Sequence, residues 1–356
     1  MATQPAIAAN RILNLEYVAS FPGVRALAWD GDQLYASRGY TLLRGHAGKE
    51  PIQWCVVAGF RPSWWRRLTS CNGLTFRLMR DGFHALAVHP RGNLIAAVPG
   101  AIVTLGAGEK EFRVTRRILR GTRPLHIVTT PGGGAFWGEY FDNPERAEVH
   151  IYASTDGGRT WDAAHTFPRG AIRHVHNILY DGWEDCLWIL TGDYGRECRI
   201  IRASLNLRTQ DEVLSNTQQA RAVGALVTKE GLFFASDTPL EQNYIYHLDR
   251  RGQLRRLAPI PSSSIYACRN RGGMFFSTMV EPSVVNRSAR VRLYGSADGC
   301  VWDSLAEWRK DGWPMALFQY GNAFLPDGEN RTNLLAVSTI AVANADLQTS
   351  IWRTED

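Results

Sequence analysis

The chain has 356 residues, of which 45% are hydrophobic and 21% are charged, a composition typical of a globular protein with a sizeable core. Its net charge of +6 is spread along the chain rather than gathered in one basic run, which argues against nucleic acid and fits a partner that carries carboxylates. Every hydrophobic run is much shorter than the roughly 20 residues that span a bilayer, so no membrane association is expected.

The first residues, MATQPAIAANRILNLEYVAS, contain only short apolar pieces broken by polar side chains. A secretory signal needs a continuous apolar segment after a basic start. A soluble protein in the cytoplasm is therefore the expectation. The six cysteines show no CxxC spacing, which argues against a zinc–thiolate site and against a disulfide framework.

Short β-rich segments joined by turns that contain Gly or Asp recur along the whole chain. Examples are RALAWDGDQLYAS, HALAVHPRGNLIAAV and GALVTKEGLFFASD. Each has the pattern strand, turn, strand, and helical periodicity is nearly absent. Repetition of this kind favours a radial array of similar sheets over a single sandwich.

One segment supplies the period of the repeat. YASTDGGRTWD, which contains Ser154, is echoed by YGSADGCVWD, which contains Ser296. Between them, RASLN (Ser204) and YHLDRRG (Leu248) look like diverged copies, at steps of about 50, 44 and 48 residues. A repeat of about 47 residues holds four strands, which is one propeller blade, and about seven repeats fit the chain.

The sequence therefore predicts an all-β fold, a seven-bladed β-propeller of four-stranded antiparallel blades that forms a single domain over residues 1–356. The last repeat is one strand short, and residues 11–20 form an unassigned strand. We expect this N-terminal strand to close the last blade, because pairing hides both sheet edges. Residues 1–10 are expected to form a flexible tail.

The repeated segment also resembles a known motif. S-x-D-G-G-x-T-W at Ser154 to Trp161 resembles the Asp box of the sialidase-like BNR-repeat propellers. In that family the box is a structural turn, which implies that Asp156 accepts backbone N–H groups and that Trp161 packs between sheets. The second copy has Cys300 at the second glycine position, so its turn is expected to be looser.

Loops that lead into the innermost strands, and loops that join second to third strands, open on one face of a propeller around the axis. This face is the expected position of a pocket. The candidate substrate-binding residues there are Arg38, Tyr40, His84, Arg123, Arg173, Arg196, Arg221, Asp237, Tyr266 and Trp313. The candidate catalytic residues are His126, Glu139, Tyr140, His174, His176, Asp193 and Tyr194.

These residue types indicate an acidic carbohydrate as the partner. Arginine binds carboxylates through two parallel hydrogen bonds, aromatic rings stack on sugars, and histidine or a carboxylate exchanges protons. Hydrolysis needs two carboxyl groups, for which Glu139, Asp193 and Asp237 are available. β-Elimination from a uronate needs an arginine and a histidine or tyrosine, for which Arg173, Arg196, His126, His174, Tyr140 and Tyr194 are available.

The sequence leaves both reactions open, together with a non-catalytic propeller that binds a glycan or a protein. The resemblance to true sialidases is incomplete, because GFRPSW at 59–64 lacks the isoleucine of their F/Y-R-I-P segment. Sialidase activity is therefore not implied.

The H-x-H pair of His174 and His176 is compatible with a metal ion. Strand alternation places both side chains on the same side, and two histidines bind zinc when a third ligand, here His126 or Asp193, joins them. A histidine pair with a purely structural role is the commoner arrangement, so neither a metal nor another cofactor is expected.

Overall fold

A computed structural model describes residues 13–355 and shows seven sheets arranged as the blades of a β-propeller. The predicted fold class is confirmed. The expected tail of residues 1–10 lies outside the described residues. None of the helices among residues 13–355 is long and apolar enough to cross a membrane.

The first strand of the described residues is β1 (Leu15–Pro22), which belongs to the last blade. Blade 1 follows with β2 (Arg25–Gly31), β3 (Gln33–Arg38), β4 (Thr41–His46) and β5 (Cys55–Gly59). Helices α1 (Trp64–Thr69) and α2 (Gly73–Met79) lead to blade 2, which contains β6 (Ala85–Val88), β7 (Leu94–Val98), β8 (Ala101–Leu105) and β9 (Arg113–Arg117). Blade 3 contains β10 (Val128–Thr129), β11 (Ala135–Gly138), β12 (Val149–Ser154) and β13 (Asp162–Phe167).

The second half of the ring repeats this plan. Blade 4 contains β14 (His174–Asp181), β15 (Cys186–Gly192), β16 (Arg199–Ser204) and β17 (Gln210–Ser215). Blade 5 contains β18 (Ala222–Thr228), β19 (Gly231–Ser236), β20 (Asn243–Asp249) and β21 (Leu254–Ile260), and blade 6 contains β22 (Ser264–Arg269), β23 (Met274–Thr278), β24 (Arg290–Ser296) and β25 (Asp303–Arg309). After α3 (Met315–Phe318) come β26 (Asn322–Phe324), β27 (Asp327–Asn330), β28 (Leu334–Ile340) and β29 (Gln348–Thr354).

The N-terminal strand closes the ring. β1 pairs antiparallel with β29, with Tyr17 opposite Trp352, and forms the outer edge of the seventh blade beside β28 and β26. The predicted closure is confirmed for the described residues, in which the strand runs over Leu15–Pro22, while residues 11 and 12 of the predicted strand lie outside them. This pairing covers the outer edge of β29 and gives the seventh blade its fourth strand.

One strand departs from the predicted plan of four antiparallel strands. β27 leaves blade 7 and pairs parallel with β2, so that the first sheet has five strands. β27 lies inside the innermost strand of blade 1, next to the axis of the ring. It brings Asp327 to the channel wall, a position that the repeat pattern does not predict.

The blades are held together by apolar side chains packed between neighbouring sheets. All seven residues of β15 are buried, as expected for an inner strand that is covered on both faces. Trp188 and Leu190 of β15 form one core cluster with Phe234 and Tyr246 of blade 5. Burial of such side chains contributes on the order of 2 kcal/mol each.

The motif at Ser154 to Trp161 forms a tight turn between β12 and β13. The Asp156 carboxylate accepts the backbone N–H groups of Arg159 at 2.9 Å and Thr160 at 3.0 Å. These bonds outweigh the effect of burial and lower the pKa of Asp156 to about 2. Trp161 is buried between blades 2 and 3, so the predicted contacts of the turn are confirmed.

The second copy of the motif forms a similar turn. Asp298 accepts the backbone N–H groups of Cys300 at 2.7 Å and Val301 at 3.1 Å. The shorter copy keeps both backbone bonds and lacks the bond that the hydroxyl of Thr160 donates to Asp156 at 2.7 Å in the first copy, so the expectation of a looser turn stays a prediction. Both turns join third to fourth strands and therefore lie on the face opposite the candidate site.

Candidate functional site

The first strand of blade 4 carries an irregularity at the candidate histidines. β14 pairs with β15 through His174 opposite Gly192 and Val175 opposite Thr191, and then Asn177 opposite Leu190. His176 is the extra residue of this β-bulge. Bulges redirect side chains and are frequent beside active sites, and this one turns His176 toward His174.

The two imidazoles and one carboxylate meet at a single point. The Nε2 atoms of His174 and His176 are 3.0 Å apart. Oδ1 of Asp193 lies 3.3 Å from Nε2 of His174 and 3.2 Å from Nε2 of His176. Exposure of the two histidines is only 5% and 3%, so this contact lies in an environment with little bulk water.

Gly192 makes room for this arrangement. A Cβ atom at position 192 would lie 2.5 Å from Cε1 of His176, which is closer than any real contact of this kind. The glycine that ends β15 thus allows the imidazole to sit against the backbone of the neighbouring strand. Any larger residue at this position would displace His176 from Asp193.

Arg221, just before β18, joins two aspartates. Its Nη2 lies 3.4 Å from Oδ1 of Asp193, and its Nε lies 3.4 Å from Oδ2 of Asp237. Its Nη1 and the side-chain amide of Gln218 also donate to the backbone carbonyl of Asp193, at 3.3 Å and 3.1 Å. The loop after β15 is therefore held by groups from blade 5.

The carboxyl groups of this region differ in proton affinity. Burial raises the pKa of Asp237, and its Oδ1 has no hydrogen-bond partner among residues 13–355. Burial and the nearby charge of Asp237 raise the pKa of Glu281 to about 7. Glu281 follows β23 on the same face of the ring, so both carboxyl groups of this face hold a proton more tightly than free side chains do.

Asp193 has the opposite tendency. Burial by itself would raise the pKa of its carboxyl group, but hydrogen bonds to His174 and His176 and the charge of Arg221 hold it well below its usual range. Burial lowers the pKa of His174. The ring of Tyr140 lies over His174 with a centroid distance of 4.3 Å, and burial followed by the charge of Asp193 raises the pKa of Tyr140.

Other predicted residues of blade 4 lie at the edge of this cluster. Arg173 pairs with Asp142, and its Nε is 3.6 Å from Oδ2 of Asp193. Tyr194 is 41% exposed, and its ring is 5.6 Å from the guanidinium of Arg221. Arg196 is exposed in the 3₁₀ turn Gly195–Glu197, and the structure does not bring its side chain to the cluster.

Glu139 is buried but occupied elsewhere. Arg120 binds both of its carboxylate oxygens, and the backbone N–H of His150 donates to Oε2 at 2.9 Å. The structure thus separates Glu139 from Asp193 and Asp237, with which the sequence grouped it as a carboxyl candidate. Its contacts are those of a residue that fixes the loop after β11.

Blades 1 to 3 line the channel with cationic side chains. Arg25, the first residue of β2, places Nη1 at 3.3 Å from Nδ1 of His84. Burial, then Arg123 and Arg25, lower the pKa of His84 well below its usual range. Burial and the charge of Arg25 lower the pKa of Arg123 to about 10, and neither arginine has an ion pair to a carboxylate among the described residues.

Between these two regions lie His126 and Tyr266. Nδ1 of His126 is 3.1 Å from both carboxylate oxygens of Asp327, while its Nε2 is buried and has no partner among residues 13–355. The rings of His126 and Tyr266 are 6.3 Å apart. Asp327 of β27 thus fixes the orientation of His126. The repeat pattern predicted His126 at this face but did not predict Asp327.

Three remaining candidates lie farther out. Arg38 is exposed beside Arg25 at a cavity of about 200 Å³ between blades 1 and 7. Tyr40 is buried and donates its hydroxyl to Asp81 at 2.8 Å. Trp313 is 50% exposed and packs on Phe318 at a ring distance of 5.1 Å.

Sequence reasoning missed Glu281, Asp327 and the pairing of Arg25 with His84 as parts of this face. Glu281 stands in a loop between a second and a third strand, so the rule used for the other loops would have found it. Asp327 had no such signal, because its strand lies outside the repeat.

Comparison with known proteins identifies the fold and no closer relationship. No protein-family model matches the chain, and no curated protein matches it. Among solved structures, the WD40 β-propeller domain of Doa1 is 10% identical with a TM-score of 0.57, and the match covers 97% of this chain and 98% of that chain. The Cps50 (Swd1) β-propeller domain of Myceliophteria thermophila is 9% identical with a TM-score of 0.55, over 96% of this chain and 99% of that chain.

A gluconolactonase of Xanthomonas campestris, XC5397, is 16% identical over 84% of this chain and 92% of that chain, with a TM-score of 0.47. Identities this low extend to the fold and not to activity. In fold, the chain is a seven-bladed β-propeller.

Proposed function

We propose that this propeller is a carbohydrate-active enzyme that cleaves an acidic, uronate-type poly- or oligosaccharide by glycoside hydrolysis at the channel mouth. The observation that carries the proposal is the opposed proton affinity of its carboxyl groups: the pKa of Asp193 is held low, whereas the pKa values of Asp237 and Glu281 are raised. Pairs of this kind divide acid and base roles in hydrolases.

In this scheme Asp237 and Glu281 share one proton, which leaves one negative charge beside Arg221, and this proton passes to the glycosidic oxygen as the bond to the leaving sugar breaks. Asp193, ionised and fixed by Arg221, accepts the proton of the water that adds to the anomeric carbon. The proton lost by the acid and the proton gained by the base balance, so no other reactant is needed.

The acidic part of the substrate is assigned to the opposite side of the channel. Arg25 and Arg123 crowd His84 without a carboxylate partner among the described residues, and their mutual repulsion helps to lower the pKa of Arg123. A uronate carboxylate would relieve this repulsion and accept charge-assisted hydrogen bonds.

Elimination is less well supported by the contacts. A lyase needs a histidine or tyrosine that is free to remove a proton from the sugar. Both Nε2 atoms of the histidine pair face each other and Asp193, and the raised pKa of Tyr140 makes its phenolate hard to form.

We also propose that the likeness of the Ser154 to Trp161 turn to the Asp box reflects kinship with the sialidase-like propellers. The hydrogen bonds of Asp156 support a structural role for this turn. The proposed activity does not depend on that kinship, because the turn lies on the far face.

The test is incubation of the protein with a panel of uronate-containing oligosaccharides, with new reducing ends and ultraviolet absorbance measured together. Hydrolysis creates reducing ends alone, whereas elimination also creates an absorbing double bond. Asp237→Asn should abolish the reducing ends, and Asp156→Asn on the far face is the matched control. Binding without any product would show instead a non-catalytic glycan-binding propeller.

A further inference from the structure

The meeting point of His174, His176 and Asp193 has the dimensions of a metal site. The three ligand atoms are 3.0, 3.2 and 3.3 Å from one another. Zinc binds nitrogen and oxygen at about 2.0 to 2.2 Å with tetrahedral geometry, for which the ligand–ligand distance is about 3.3 to 3.4 Å. One ion placed among these atoms would reach all three with little rearrangement.

Hydrogen bonding on the other side of each ring fixes where the lone pairs point. Nδ1 of His174 is 3.1 Å from the carbonyl oxygen of Phe141, and Nδ1 of His176 is 2.9 Å from that of Ala222. A carbonyl oxygen only accepts, so both Nδ1 atoms carry the hydrogen. In the neutral rings both Nε2 atoms are therefore acceptors.

Three acceptors thus face one another in a buried space: two Nε2 lone pairs and a carboxylate oxygen. In the neutral rings none of the three can donate to another, so their approach requires either a proton on one imidazole, which then donates to Asp193, or a metal cation between them. A carbonyl oxygen on the far nitrogen is also the usual outer contact of a metal-binding histidine.

We propose that His174, His176 and Asp193 form a binding site for a divalent transition-metal ion, with zinc the best match. Two imidazoles and one carboxylate are a ligand set that leaves a coordination position open. This proposal differs from the expectation drawn from the sequence, which was a histidine pair without a metal ion.

The charges around the three ligands are compatible with this assignment. Arg221 and Arg173 lie on the carboxylate and not on the imidazoles, at 3.4 and 3.6 Å. Each arginine also has a second carboxylate, Asp237 and Asp142 respectively, so neither depends on Asp193 alone for its counter-charge.

Another group of suitable residues, Asp181, Glu184 and Cys186, lies at the far end of the same hairpin. There, Arg250 binds Asp181 and approaches Glu184, and the indole of Trp188 donates to Asp181 at 2.9 Å. The carboxylates of this second group already have close donors. At the meeting point of the histidines, Oδ1 of Asp193 has only Arg221 among the described residues, at 3.4 Å, and the two Nε2 atoms face only each other and Asp193, so the proposal is restricted to the first group.

The metal proposal goes beyond the proposed hydrolysis and is tested without a sugar. If both hold, Asp193 would bind the ion, and the ion would take over from this carboxylate the task of activating the water. A failure to cleave uronates would leave the metal site intact, and a failure to bind metal would leave the carboxyl groups of the hydrolase scheme in place.

The experiment is a titration of the chelator-treated full-length protein with zinc by calorimetry, and with cobalt by visible absorption. The variants are His174→Gln and His176→Gln, each checked for native melting. His46→Gln is the matched control, because His46 also pairs with an aspartate, Asp32 at 2.8 Å, but at the exposed surface.

We expect about one zinc per chain, a tetrahedral cobalt spectrum without thiolate bands, and unchanged binding in His46→Gln. Each cluster variant should bind zinc at least about 100-fold more weakly, because loss of an outer contact alone costs up to that much. The proposal is overturned if the wild type binds neither ion, which would leave a trapped proton as the cation, or if both variants bind as tightly as the wild type. Binding that changes only when cysteines are blocked would also overturn it.

Discussion

The two sides of the channel differ in how their charges are compensated. In the acidic half, the charge of Arg221 is balanced by Asp193 and Asp237. This half comes from blades 4 to 6 and consists of His174, His176, Asp193, Arg221, Asp237 and Glu281. The basic half consists of Arg25, His84 and Arg123 from blades 1 to 3. It has no such partner among the described residues, and burial, followed by repulsion among its own charges, lowers the pKa values of His84 and Arg123.

This difference separates two tasks that a single site must perform. Groups that are already paired keep their positions and can exchange protons at a fixed point. Groups that are left with uncompensated charge gain free energy when an anion arrives. The acidic half is therefore suited to proton transfer during bond cleavage, and the basic half is suited to binding the carboxylate of an acidic sugar.

The largest effect is expected from Asp193→Asn. The amide cannot act as a base and cannot hold the charge of Arg221, so turnover of a uronate oligosaccharide should fall by about a thousandfold or more. Substrate affinity, which we assign to the basic half, should change far less. An equal loss of affinity and turnover would break the division between the two halves.

Next in size is the effect of Arg123→Ala. Loss of a charge-assisted contact to the substrate carboxylate should raise KM about 10- to 100-fold with turnover nearly unchanged. Arg196→Ala is the matched control, because Arg196 is exposed and does not reach the cluster. If the two variants raise KM equally, the basic half has no special role in recognition.

A smaller effect concerns pH. The pKa of Glu281 is raised from 4.5 to about 7, so its proton is present below about pH 7 and is lost as the pH rises through that value. Turnover should therefore decline above neutrality. The stability that this proton contributes should be full below about pH 4.5 and should be lost between about pH 4.5 and 7, because the folded state holds the proton more tightly than the unfolded chain does.

Glu281→Gln, which cannot lose a proton, is the variant that tests this assignment. Its rate profile should be flatter on the alkaline side, and its melting temperature should depend less on pH. A profile identical to that of the wild type would assign the alkaline limb to another group.

Features set by neighbouring residues could be predicted from the sequence. The turn at Asp156 is built from bonds within five residues, so its spacing along the chain revealed the blades and the number of repeats. Loops that lead into innermost strands and loops that join second to third strands open on the same face, and this depends only on strand order. On this basis the sequence placed Asp193, Arg221 and Asp237 on one face.

Pairings between distant segments could not be predicted in this way. Asp327 meets His126 across 201 positions, and β27 has too little apolar alternation to be recognised as a strand. The bulge at His176 and the ion pair between Arg120 and Glu139 form only in the folded ring, where several side chains compete for the same partner. The sequence therefore identified the face and its residue types, but not the partners that give each residue its role.

The smallest effect is expected from Tyr40→Phe, at the outer edge of the basic half. The Tyr40 hydroxyl donates to Asp81, which also accepts from Arg66 at 2.7 Å and from Thr69 at 2.6 Å. Because Asp81 keeps two donors, the free energy of unfolding should fall by only about 1 kcal/mol in a denaturant titration. KM should not change, because the hydroxyl is directed at Asp81 and not at the channel. A rise in KM as large as that of Arg123→Ala would return Tyr40 to the set of substrate-binding residues and would add it to the basic half.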